Sequence, residues 1–77
     1  MTPRVLNAAI EANLAVLADG LARSAVLADM ARKAIHDEYR NLAIGTILPL
    51  EQELPVLTGL LTAILALHRS AGQGGEP

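Results

Sequence analysis

Seventy-seven residues leave room for one domain, and the absence of cysteine excludes disulfide staples, thiolate-held zinc and thiol catalysis. Hydrophobic residues make up 52% of the chain but aromatic residues only 1%, so the apolar mass is Ala and Leu, both strong helix formers. A net charge of −2 is too small to steer the protein toward nucleic acid or an anionic membrane surface.

A chain of this length buries only roughly 60% of the surface that its unfolded form exposes, so association with itself or with a partner is the expected source of further stability. No segment alternates apolar and polar residues with period two, which argues against strands. Arg4 is followed by Asn7 and Glu11 instead of a continuous apolar run, so no signal peptide is expected and the cytoplasm is the expected location.

The first predicted helix covers about 3–19. Thr2 can cap it and Pro3 suits its first position, where a missing N–H costs nothing. Leu6, Ile10, Leu14 and Leu17 then follow at helical spacing. Asp19-Gly20 is a turn signal, and Ser24 could cap a second helix. Against a break, Leu14, Leu21, Ala28, Ile35 and Leu42 form a seven-residue repeat that runs through the glycine. The balance favours a break at Gly20, with a single long helix as the alternative. The echo of Ala15–Asp19 in Ala25–Asp29 has a ten-residue offset that matches no solenoid unit, and it reads as shared Ala/Leu helix composition.

The second predicted helix covers about 24–44. Ala28, Ala31, Ile35, Tyr39 and Leu42 form its expected inner stripe. Asp29, Arg32, Lys33, His36, Asp37 and Arg40 form its outer face, where Asp29 and Lys33 are an acid-to-base i,i+4 pair. Gly45 is its expected stop, and Thr46 to Leu54 reads as a connector holding one turn near 49–53. Pro55 would clash with the carbonyl of Glu51 deep inside a helix, so the third helix is placed over about 55–69. Glu51 and Glu53 then lie near its positive N-terminal end. Its residues Val56, Leu57, Leu60, Leu61, Ile64, Leu65 and Leu67 leave almost no polar side. The only relief is a strip of small residues, Thr58, Gly59, Thr62, Ala63 and Ala66. The fold expected is all-α: a three-helix bundle, or a helical hairpin with a long, broken first helix. Residues 1–70 are expected to form a single helical domain, and 71–77 a Gly-rich disordered tail.

No catalytic, metal-binding or cofactor-binding residue is expected, and the chain does not read as an enzyme. His36 and His68 have no ligand partner at metal-binding spacing. Glu51 and Glu53, two apart, diverge and form no dyad. Gly72, Gly74 and Gly75 belong to the tail and make no phosphate loop. Arg32, Lys33, His36 and Arg40 form a basic strip that could touch DNA in a helix-turn-helix, but Asp29 and Asp37 interrupt it. It reads instead as a solvated face or the rim of a protein interface, with no nucleic-acid partner. Leu54 to Leu67 is fourteen residues, short of the roughly 20 that span a bilayer, so a membrane-associated hairpin stands as an alternative reading.

The reading favoured is a protein-interaction module. Val56, Leu57, Leu60, Leu61, Ile64 and Leu65 are its expected contact residues, because two shorter helices cannot cover a helix that is apolar nearly all round. Either a homodimer or a separate target protein would supply the cover. In size, helical content and the runs Ala25–Arg40 and Pro49–Leu67, the chain resembles the QseM-type antiactivators, which sequester quorum-sensing and conjugation regulators. That resemblance implies a cytoplasmic inhibitor that binds a transcriptional regulator. It anchors no individual residue.

Overall fold

The computed structural model describes residues 2–72. Three α-helices follow one another: α1 Pro3–His36, α2 Arg40–Ile47 and α3 Leu50–Gly72. The protein is all-α, with no strand among the described residues. Thr2 opens α1 as expected: its Oγ1 accepts a hydrogen bond from the Val5 N–H at 3.2 Å, and Pro3 stands in the first turn.

Helix α1 does not break at Gly20. It runs on for 34 residues, about 51 Å at 1.5 Å per residue. The reason is on its inner side. Gly20 is buried, and a Cβ placed there would run into Leu57 Cδ2, with Leu57 Cδ1 and Cγ at 3.3 Å. The glycine therefore serves close helix approach instead of ending the helix. Ser24, expected as a possible cap, lies buried four residues further along the same side.

The chain turns back instead at 37–39. The Tyr39 N–H donates to the Ala34 carbonyl at 2.8 Å and the Glu38 N–H to the Ile35 carbonyl at 3.0 Å, the paired bonds of a Schellman end. Glu38 takes the left-handed conformation, φ 68°, that glycine usually supplies there. The second predicted helix is thus divided. Its first part belongs to α1, and its last part opens α2. Gly45 is not a stop but lies inside α2.

Helices α2 and α3 form one arm, bent at Leu48-Pro49. The turn is tight: the Gln52 and Glu53 N–H groups both donate to the Pro49 carbonyl, at 3.2 and 3.1 Å. The expected connector is therefore largely helical, and Pro55 lies inside α3 instead of at its start. Glu51 and Glu53 do fall in the first turn of that helix. Residues 73–77 of the expected tail lie outside the described residues, while Ala71 and Gly72 continue α3.

The second arm packs antiparallel along α1. Both α2 and α3 touch α1, and two contacts set the register: Gly20 against Leu57, and Arg23 Nη2 to Glu53 Oε1 at 3.3 Å. The covered residues of α1 are Leu6, Ile10, Asn13, Leu17, Gly20, Ser24, Leu27, Ala31 and Ala34, with Ala9 beside them. Those of the second arm are Ala43, Thr46, Leu50, Glu53, Leu57, Leu60, Ile64 and Leu67. Both series step by fours and threes, the repeat of a coiled-coil seam. Near the turn the seam is built from small residues, with Ala31, Ala34 and Ala43 in one cluster. The architecture is a two-armed hairpin in one layer, not a three-helix bundle. The expected inner stripes change accordingly. Leu14, Ile35, Tyr39 and Leu42 are exposed, and only Ala31 of the second stripe is buried.

Candidate interaction surface

A single layer of two arms has one seam and two broad outer faces. The protein measures 55 × 16 × 15 Å, and its radius of gyration is 17.3 Å. A compact domain of this length would have a radius of about 11–12 Å. Its accessible surface is 5817 Å², against about 4,500 Å² for a compact protein of its mass. Among the described residues, six hydrophobic residues are buried, three of them alanines, and none is fully enclosed. Among the described residues, sixteen large hydrophobic side chains remain exposed. An isolated soluble domain rarely leaves so much apolar surface in water.

These side chains are not spread evenly. In an antiparallel pair, the residues that directly follow each seam position lie on one common face of both arms, and those that precede it lie on the other. The first face carries Leu14, Leu21, Ala28 and Ile35 from α1, Ile44 and Ile47 from α2, and Leu54, Leu61 and Leu65 from α3. Every one of these large residues is exposed. Ala18, Ala25 and Thr58 fill the intervals, and Asn7, Glu11, Arg32, Glu51 and His68 lie in the same rows. The second face carries fewer large apolar residues, Val5, Val16, Val26, Met30, Leu42 and Val56, with Asp19, Arg23 and Lys33 among them. The Arg23–Glu53 ion pair closes its edge.

The residues expected from sequence divide between the seam and this face. Leu57 and Ile64 are buried and Leu60 is half-buried, all against α1. Leu61 and Leu65 lie on the apolar face, 47% and 41% exposed. Val56 is exposed on the opposite face. The α1 and α2 members of the apolar face, Leu14, Leu21, Ile35, Ile44 and Ile47, were not expected as contact residues. Their signal was the seven-residue repeat Leu14-Leu21-Ala28-Ile35, which marks an outer face and not a core.

The basic strip is also divided. Arg32 and Lys33 both engage Asp29. Arg32 Nη2 and Nε lie 2.8 and 3.1 Å from its Oδ1, and Lys33 Nζ lies 3.1 Å from its Oδ2. Hydrogen bonds from Arg32 first, then Lys33, with the Lys33 charge adding to them, hold the Asp29 carboxyl below its ordinary pKa of 3.8. His36 and Asp37 share a shallow depression with these two cations. Arg40 lies beyond the turn, in a separate open hollow with Ile35, Glu38, Tyr39, Asn41 and Leu42.

Among the described residues, no three His, Asp or Glu side chains come close enough together to hold a metal ion. No protein-family model, curated protein or solved structure matches the chain.

Proposed function

We propose that the protein is a protein-interaction module whose working surface is the apolar face formed by both arms. The observation behind this reading is the exposure of Leu14, Leu21, Ile35, Ile44, Ile47, Leu54, Leu61 and Leu65 together on one side of a one-layer hairpin. Covering a Leu or Ile fully contributes about 1.5–3 kcal/mol, so three or four of them drive specific association. The resemblance to antiactivators adds a class of target: a cytoplasmic regulator of transcription, held away from its site of action. Leu61 is the diagnostic residue, because it stands on this face and outside the seam. Leu61→Glu should retain helicity and lose capture of the target from the native host, whereas Glu11→Gln should retain both. Normal capture and normal regulatory effect with Leu61→Glu would overturn the reading.

One observation favours a second reading. Both arms, Pro3–His36 and Arg40–Ser70, are long and apolar enough to cross a membrane by length and composition. Against it, Arg4, Glu11, Asp19, Arg23 and Asp29 recur along α1, and charged residues at bilayer depth are expensive. Recovery of the native protein in the salt-washed membrane fraction would favour the hairpin in lipid, and recovery in the soluble fraction would favour the interaction module.

A further inference from the structure

We infer that the occupant of the apolar face is a second copy of this chain, packed face to face and antiparallel on it to close a four-helix bundle. The inference rests on the reading of that face as an interaction surface and names what covers it. Area is the first argument. Two separate hairpins present twice 5817 Å², about 11,600 Å² in all. A compact protein made of two such chains would present about 7,500 Å². Stable interfaces bury about 1,200–2,000 Å² in total, well within the roughly 4,100 Å² by which those two surfaces differ.

Self-complementarity is the second argument. A two-fold interface brings residue i of one copy against residue j of the other and j against i, so the patch must match itself when turned round. The face does so about Leu21. With a two-fold axis through that residue and across the helices, α1 lies antiparallel on α1 of the second copy. Leu14 of each copy then comes level with Ala28 of the other, large against small. Glu11 of each comes within one residue step of Arg32 of the other, negative against positive. The opposite face turned about the same point sets Asp19 against Arg23 and Val16 against Val26, but it carries fewer large exposed apolar residues.

The experiment measures mass in solution by sedimentation equilibrium, with helicity followed by circular dichroism. The full chain should have twice its monomer mass of 8.1 kDa at micromolar concentration. Leu21→Glu should be a helical monomer, and Val26→Glu, of similar exposure on the other side of α1, should remain a dimer. Because the chain has no cysteine, single cysteines report the orientation without background. Leu21→Cys, beside the two-fold axis, should give a covalent dimer on mild oxidation, and Val26→Cys should not. A wild-type chain that stays at 8.1 kDa up to about 100 μM, a hundredfold above a micromolar Kd, would overturn the inference. So would a dimer that survives Leu21→Glu, or equal cross-linking from both cysteine positions. A monomer that still captures a host protein through Leu61 would sink this inference and leave the interaction module standing. A dimer that captures nothing further would do the reverse for the sequestration of a regulator.

Discussion

Gly20 and Leu57 compete for the same space in the seam, and that competition has a measurable sign. Replacing Gly with Ala inside a helix is worth about 1 kcal/mol in propensity, while overpacking a filled site costs about 1–3 kcal/mol. Leu57 is 4% exposed, so its methyl groups have little room to move away. Gly20→Ala should therefore lower stability by about 1 kcal/mol in the wild type and raise it in a Leu57→Ala background. Denaturant titration of the four proteins reads the cycle, and the same sign in both backgrounds would exclude the steric account. Glu38 carries a different strain. A residue with a side chain pays about 1–2 kcal/mol for left-handed backbone, and glycine escapes this. Glu38→Gly should raise stability by about 1 kcal/mol and preserve the turn. A loss of stability would mean that the Glu38 side chain contributes more than its strained backbone costs.

At the scale of the element, the second arm shows packing overriding local rules. Pro55 removes the N–H that would reach the Glu51 carbonyl, and its ring crowds that carbonyl. The helix nevertheless runs through it, because Leu50 and Glu53 before the proline and Leu57 and Leu60 after it lie on one seam. Pro55→Ala should raise the unfolding free energy by up to about 3 kcal/mol and leave the register against α1 unchanged. A lower melting temperature would show that the seam depends on the local geometry set by the proline. The same logic explains α1. The expected break at Gly20 followed the usual meaning of Asp-Gly, but the residue is needed for approach to Leu57, and Leu17, Ser24 and Leu27 bury on the same side. The true helix end, at Asp37-Glu38, contains no glycine or proline to announce it.

At the scale of the molecule, two helices make one seam and cannot make an interior. Most of the apolar surface therefore stays outside, and the folded state should be coupled to whatever covers it. For a protein stabilised by association, the unfolding midpoint rises with protein concentration. Thermal melts from about 1 to 100 μM, spanning two decades around a micromolar Kd, should show that rise for the wild type and not for Leu21→Glu. A midpoint independent of concentration in both proteins would leave the hairpin stable without cover.

Composition and local pattern were enough for the helical class, the cap at Thr2, the acidic residues near the start of the last helix, the Asp29–Lys33 pair and an apolar excess too large for one small domain. Each depends on composition or on neighbours within one turn of helix. The tertiary structure alone decided which apolar residues are core and which are surface. Leu57 and Leu61 have the same chemistry and lie four residues apart, yet one is buried against Gly20 and the other faces outward. That difference comes from the register of one arm on the other, set where α1 turns back at Glu38. A periodic pattern that is apolar on most sides does not specify which side meets the partner arm, because several rotations bury similar area. The small residues Gly20, Ser24, Ala31 and Ala34 lie along the rotation adopted and let the arms approach closely there. The repeat of Leu14, Leu21, Ala28 and Ile35 is thereby turned outward.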